Sequence, residues 1–135
     1  MYQQMIFVNL PVSDLDASKK FFTELGYPIN PQFSDDNTAS VVISDTIVAM
    51  LLTKEFYGTF TKKEIADATR TSEVLIALSA ESREKVDELV DGAIAAGGTA
   101  TGETQDQGFM YGRAFDDLDG HTWEIVWMDP AVVEG

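Results

Sequence analysis

The first strand and helix of the chain are visible in its pattern of apolar and polar residues. Residues 5–12 alternate, which predicts a β-strand with one face formed by Val8, Leu10 and Val12 and the other by Phe7, Asn9 and Pro11. A helix is predicted next, with Ser13 as its N-cap and the acid Asp16 three residues further on. Its apolar stripe runs to Gly26, where we expect the helix to end.

The same strand and helix pattern returns in the second half of the chain. Residues 74–79 alternate, and apolar residues then recur at helical spacing from about Ser82 to Gly97. Superposing Phe7 on Leu75 also aligns the apolar residues of the two helices, at a shift of 68 positions in a chain of 135. Because this shift is close to half of the chain, the sequence predicts an internal duplication of one strand–helix unit.

Each predicted helix is followed by a further pair of strands. Short apolar runs separated by turn residues indicate a β-hairpin in each half, and Asp119-Gly120 is a strong turn dipeptide in the second. The predicted hairpin strands are residues 40–44 and 46–53 in the first half, and residues 109–116 and 121–128 in the second.

Two other segments complete the expected secondary structure. Thr61 and Glu64 have the spacing of a capping box, which predicts a bridging helix over about residues 61–69. Residues 101–108 are polar throughout and rich in Gly, Gln and Thr, so we expect a loop there.

The predicted elements define an α+β fold with two βαβββ repeats and mostly antiparallel strand pairing. The repeats cover about residues 1–57 and 72–130, and together with the bridge they form a single domain over residues 1–135.

Composition narrows the possible chemistry. The formal net charge is −14, there is no cysteine, and His121 is the single histidine. An acidic surface repels phosphate backbones and anionic lipids, so we expect no nucleic-acid or membrane partner. Thiolate catalysis and multi-histidine metal sites are excluded within one chain. No apolar run approaches the roughly 18 residues of a membrane span, and the N-terminus lacks a signal-peptide pattern, so we expect a cytoplasmic protein.

Two segments carry a resemblance to a known family. Residues 9–27, NLPVSDLDASKKFFTELGY, and residues 116–130, DDLDGHTWEIVWMDP, resemble the opening and closing elements of the vicinal oxygen chelate superfamily. This superfamily includes glyoxalases, bleomycin- and fosfomycin-resistance proteins and extradiol dioxygenases. The resemblance implies two βαβββ repeats whose curled, antiparallel-rich sheets surround a cup, where a divalent metal often sits in the family. It specifies a fold more than a function, because the superfamily hosts unrelated reactions.

The resemblance also places the family's four metal-ligand positions. By the matching motifs they fall on Phe7, on or near Met50, on Leu75 and on Glu124, so three of the four are apolar. Transition-metal sites need imidazole and carboxylate donors, commonly three or more from the protein. We therefore expect no metal and no other cofactor, and an apolar pocket in place of a coordination site. Asn9 lies on the same strand face as Phe7 and would line that pocket.

Glu124 is the most informative candidate residue, and two interpretations of it remain open. Strand alternation puts Glu124 on the face opposite Trp123, Ile125 and Trp127, and therefore toward the cup, near Asn9. There it could act as a catalytic general base or accept a hydrogen bond from a ligand. The other interpretation is an inherited carboxylate that is tied to a neighbouring donor.

Three more polar residues have both a functional and a structural interpretation. Tyr111 and Arg113 share a strand face and could bind an aromatic or anionic ligand, although so acidic a chain favours an ion pair of Arg113 with a nearby acid. His121 adjoins the Asp119-Gly120 turn, where a structural role is more common than catalysis.

Three functions fit these observations. The first is binding of a small organic molecule in an apolar cup without a transition metal. The second is a lyase or dioxygenase-type enzyme that uses Glu124 as a base or as a metal ligand. The third is a structural or regulatory dimer without a small-molecule ligand. Pairing of two chains is common in the resembled families and would cover exposed strand edges, so we expect a homodimer.

Overall fold

The computed structural model describes residues 1–134 of the chain, and side chains up to residue 132. The chain forms two compact units, which divide between Ala66 and Asp67. Each unit is a βαβββ repeat, so the predicted duplication and the α+β class are confirmed.

The first unit is a four-stranded sheet with one long helix. Its strand order is β1-β4-β3-β2, in which β1 is parallel to β4 and the other neighbours are antiparallel. The elements in chain order are β1 (Ile6–Val12), α1 (Leu15–Glu24), β2 (Ile29–Asn30), a 3-10 turn (Pro31–Phe33), β3 (Thr38–Val42), β4 (Ile47–Thr53) and the short α2 (Lys54–Tyr57).

The second unit repeats this architecture. Its strand order is β5-β8-β7-β6, again with one parallel pair, β5 with β8, and two antiparallel pairs. The elements are β5 (Leu75–Ser79), α3 (Arg83–Ala95), β6 (Thr99–Asp106), β7 (Met110–Asp116), β8 (Thr122–Met128) and a terminal helix α4 (Pro130–Glu134).

One face of each sheet packs against its helix and forms the core of the unit. In the first unit Leu10, Val12 and Phe21 are at most 5% exposed, and in the second Val86, Trp123 and Ile125 are at most 2% exposed. Burial of these apolar faces sets the strand register, because a shift by one residue would turn each apolar set toward solvent.

Three predicted details are wrong. The N-cap of α1 is Asp14 and not Ser13. The carboxylate of Asp14 accepts a hydrogen bond from the backbone N–H of Ala17. Residues 101–108 are not a loop, since residues up to Asp106 belong to β6, an edge strand that pairs with β7. Its polar composition suits an exposed edge, where apolar side chains would invite aggregation.

The third error is the bridging helix over residues 61–69, which is absent from the structure. The hydroxyl of Thr61 accepts the amide of Lys63, two residues on, and so closes a local turn instead of capping a helix. Residues 62–64 are exposed, so a helix there would have no apolar face to bury. Asp67 then organises a second turn by accepting the amide of Thr69.

Asp117 is the polar centre of the turn between β7 and β8. This carboxylate is only 7% exposed, and it accepts hydrogen bonds from the amides of Asp119 and His121 and from the indole N–H of Trp123. The imidazole Nδ1 of His121 lies 2.9 Å from Asp117 Oδ2. Burial by itself lowers the pKa of His121, but the hydrogen bond to Asp117 and the charges of three nearby aspartates outweigh it, so the pKa is raised. His121 therefore has the structural role.

The first prediction concerns the pH dependence that His121 confers. Because folding raises the His121 pKa above its ordinary value of 6.5, its contribution to stability is complete below that value and is lost as pH rises through the folded pKa. The difference in unfolding free energy between the natural chain and His121→Gln should therefore shrink from pH 6 to pH 9. Urea titrations followed by tryptophan fluorescence measure it, and a difference that grows with pH would contradict the assignment.

The second prediction concerns Gly120, at the same turn. Its φ is +87°, and a Cβ at this position would lie 2.8 Å from the backbone nitrogen of Thr69 and 2.9 Å from backbone atoms of Ala68. Gly108 also has a positive φ, +82°, but nothing lies within 4 Å of its Cβ position. Gly108→Ala should cost about 1–2 kcal/mol of stability from backbone strain alone. Gly120→Ala should cost clearly more, on the order of 3 kcal/mol. Equal losses in chemical denaturation would refute the close-approach argument.

Candidate functional site

The register of the two sheets shows that Met50 and Glu124 occupy equivalent positions. Met50 is flanked by Asn9 of β1 and Ser40 of β3. Glu124 is flanked in the same way by Ala77 of β5 and Ala114 of β7. The duplicated sheet thus carries one central position twice, with a thioether in the first unit and a carboxylate in the second.

Phe7 and Leu75 are also equivalent, and both are available for contact. Phe7 lies at the start of β1 opposite Val48, and Leu75 lies at the start of β5 opposite Thr122. Their exposed fractions are 55% and 57%, which is unusual for large apolar side chains on two separate strands. Exposed apolar residues that recur at the same place in both repeats indicate a surface that binds something apolar.

Glu124 lies on the sheet face away from α3, as the alternation predicts. Its neighbours Trp123 and Ile125 are 2% and 0% exposed against the helix, so the intervening side chain must point to the other face. Among residues 1–132 no hydrogen-bond or ion-pair partner of Glu124 is found. Within the part of the chain that the structure describes, the carboxylate is therefore available to a ligand.

A cleft of about 270 Å³ opens beside Glu124, and β6 forms one of its walls. The pairing of β6 with β7 shifts register between Thr101 and Gln105, where Gly102 has a φ of +69°. This bulge brings a second carboxylate, Glu103, to the lining of the same cleft. The sequence did not reveal Glu103, because a register shift in an edge strand leaves no periodic signal.

The first unit has a cleft of about 330 Å³ on its face away from α1. Two of the predicted residues, Asn9 and Met50, line it, together with Thr38, Phe56 and Phe60. The hydroxyl oxygen of Thr38 is the single buried side-chain polar atom without a hydrogen-bond partner in the described residues. Leaving a hydroxyl unpaired in this way costs about 1–3 kcal/mol. Phe33 and Gln32, from the turn after β2, complete one wall.

Arg113 borders the cleft beside Glu124, but its side chain and that of Tyr111 lie on the opposite face of the sheet. Arg113 pairs with Ile125, and Tyr111 with Trp127, so both side chains lie on the face toward α3. Tyr111 Oη donates to Asp87 at 2.6 Å, and Arg113 forms ion pairs with Asp87 and Asp91 at 2.9 Å each. The hydrogen bonds from Tyr111 and Arg113 lower the pKa of Asp87. The structure thus favours the ion-pair interpretation of Arg113 over a ligand-binding one.

Arg83 is likewise paired with an acid. Its guanidinium donates to both carboxylate oxygens of Asp106, at 2.8 and 3.0 Å, and to the carbonyl of Gly108 at 2.9 Å. It also lies over the rings of Tyr111 and Trp127, 5.1 and 5.3 Å from their centroids. The hydrogen bond from Arg83 lowers the pKa of Asp106 to about 2. This contact joins the start of α3 to the turn between β6 and β7.

The four family positions do not fit a transition-metal site. Phe7, Met50 and Leu75 offer no nitrogen or oxygen donor, and Glu124 is a lone carboxylate. In the described part of the chain, no group of three or more His, Asp or Glu side chains is placed to hold a metal ion.

The chain is similar to several proteins of known structure. The hypothetical protein SA1046 from S. aureus is 31% identical, with 94% of each chain covered and a TM-score of 0.78. A glyoxylase/bleomycin resistance protein/dioxygenase domain from Frankia sp. is 26% identical, with 95% of this chain and 99% of that one covered and a TM-score of 0.65. The fosfomycin resistance protein FosX from Listeria monocytogenes, 19% identical over 94% of each chain, shares the fold with a TM-score of 0.67.

Sequence comparisons agree with the structural ones. Residues 4–44 match the family model described as bleomycin resistance protein-like N-terminal. No curated protein matches the chain. The repeated βαβββ architecture, the match over residues 4–44 and the 26% identical Frankia domain support the assignment of this chain to the vicinal oxygen chelate superfamily, with glyoxalase/bleomycin-resistance/dioxygenase proteins as its relatives.

Proposed function

We propose that this protein binds small organic molecules without a transition metal, on the sheet face of the first unit that carries Phe7 and Met50 and on the sheet face of the second unit that carries Leu75 and Glu124. The observation that carries the proposal is the apolar character of Phe7, Met50 and Leu75, which stand where the family resemblance implies metal donors; Phe7 and Leu75 are more than half exposed. Burying such side chains against a ligand is favourable by about 25 cal/mol for each Å² removed from water.

Glu124 supplies the polar contact in this proposal. Its carboxylate adjoins a cleft and has no partner among residues 1–132, so it accepts a hydrogen bond from the ligand. Specificity in apolar sites commonly comes from a small number of such groups. A lyase or dioxygenase-type enzyme with Glu124 as its base is the second candidate, and the available carboxylate is its support.

Several features bear on partners. The net charge of −14 disfavours nucleic acid and anionic membranes. No helix of the described residues is long and apolar enough to cross a membrane. The edge strands β1 and β5 each pair with a single neighbour, which favours the homodimer that we propose.

The third prediction concerns metal content. Because three of the four donor positions are apolar, protein purified under mild conditions should carry no stoichiometric iron, zinc, nickel or manganese. Treatment with EDTA should leave its melting temperature unchanged, since a metal bound to the folded state would have stabilised it. Elemental analysis near one metal ion per chain would defeat the proposal in its metal-free form.

The fourth prediction concerns Glu124→Gln. A hydrogen bond to a charged group is worth about 1.5–3 kcal/mol, so a compound that binds the second unit beside Glu124, located by NMR shifts there, should bind the variant roughly 10- to 100-fold more weakly. Stability should change by less than about 0.5 kcal/mol, because no intramolecular partner is lost. Glu103→Gln, in the same cleft, is the matched control and should have the smaller effect. Unchanged affinity in Glu124→Gln, measured by calorimetry, would exclude Glu124 from the site.

A further inference from the structure

The cleft of the first unit combines aromatic walls with uncharged polar groups. Phe33, Phe56 and Phe60 line it, together with the amide of Asn9 and the unpaired hydroxyl of Thr38. The rings of Phe56 and Phe60 meet edge to face, with centroids 5.0 Å apart. This combination of stacking surfaces and hydrogen-bonding groups is typical of sites for flat aromatic ligands.

Two of the three rings have most of their surface exposed to solvent. Phe33 is 58% exposed and Phe60 is 68% exposed, although both are large apolar side chains beside a cleft. A ligand ring that packs against them would remove this surface from water, so the contact would be favourable. Phe60 keeps its ring contact with Phe56, whereas Phe33 has no ring contact among the described residues and can turn to admit a ligand to the floor of the cleft.

The floor of the cleft holds a hydrogen-bonding group that the protein does not use. Thr38 lies in the row Pro11–Leu52–Thr38 across the sheet, on the face away from α1. Its amide is satisfied by Asp35, but its hydroxyl oxygen is buried without a partner among the described residues. Buried hydroxyl groups are nearly always paired, so this one marks a place where a ligand group belongs.

The charge around the cleft selects against acids. Among the described residues no Lys or Arg lines it, and the one ionisable side chain there is Asp35, whose Oδ1 accepts hydrogen bonds from the backbone N–H groups of Asn37 and Thr38. With a net charge of −14 on the whole chain, a carboxylate or phosphate on the ligand would be repelled without a compensating ion pair. Uncharged rings avoid this cost.

We propose that the first unit binds an uncharged aromatic ring carrying an N–H or O–H group, with the ring against Phe33, Phe56 and Phe60 and its donor on the Thr38 hydroxyl. This ligand class rests on the proposed small-molecule function and narrows it. It assigns an uncharged aromatic ligand to the first unit, using Thr38, Phe56 and Phe60, which lie outside the four family positions.

Indole and indene provide a matched pair of probes, because they have nearly the same shape and only indole has a ring N–H. Titration of ¹⁵N-labelled protein with each compound should shift amide signals around Thr38 and Phe56, and indole should bind more tightly. Thr38→Val should lower the affinity for indole by about fivefold, which corresponds to the loss of one neutral hydrogen bond. The affinity for indene should not change. The variant should be at least as stable as the natural chain, because the lost hydroxyl has no partner in the protein.

Phe60→Leu should lower the affinity for both probes. Phe109→Leu, which changes an exposed phenylalanine of the second unit, should lower the affinity for neither. Indole-3-carboxylate should bind more weakly than indole at low salt, with a smaller difference at high salt. Equal affinities for indole and indene, or an unchanged indole affinity in Thr38→Val, would overturn the hydrogen bond. Shifts confined to the second unit would overturn the placement.

The outcome also separates this inference from the proposed function. If aliphatic compounds raise the melting temperature and neither aromatic probe binds, the aromatic ligand class is wrong while small-molecule binding stands. If no compound of any class binds, both proposals fail.

Discussion

The set of side chains at the candidate site depends on the burial of one sheet face under one helix in each repeat. Leu10 and Val12 in the first unit, and Trp123 and Ile125 in the second, are nearly inaccessible to solvent because they pack toward α1 and α3. Since side chains alternate along a strand, this burial decides which residues face the other way. The opposite faces, which carry the candidate site, are therefore a consequence of how the core is built.

The two units share one fold but carry different side chains at equivalent positions of the sheet face away from the helix. Met50 and Glu124 occupy the same place in the sheet, and Phe7 and Leu75 share another. A change of side chain at either place leaves the packing against the helix intact, because these side chains point to the other face of the sheet. In each unit one sheet face stabilises the fold by packing against the helix, and the other presents the side chains that can bind ligands. This division is consistent with a family whose members perform unrelated functions.

Much of this fold is predictable from the sequence, because strong periodicity reports burial directly. The alternation over residues 5–12 and the apolar stripe after Ser82 located β1 and α3, and it also placed Glu124 opposite Trp123. The predictions were wrong for segments with a weak pattern of apolar and polar residues. Edge strand β6 buries little, so its polar residues resembled a loop, and the capping-box spacing at Thr61 had no apolar face behind it. Thr38 lines its cleft because of cross-strand packing, and Glu103 lines the other cleft because of a bulge. Neither feature appears as a local pattern in a single sequence.

Methyl NMR of the methionines would test small-molecule binding at the former donor positions most directly. The chain has five methionines, and of these Met50 alone occupies a family donor position. In a titration of protein labelled with ¹³C at the methionine methyl groups, a set of small uncharged organic compounds should include members that shift the Met50 signal while leaving that of the exposed Met1 in place. A Met50 signal that no compound moves, at concentrations up to the solubility limit, would contradict binding at this face.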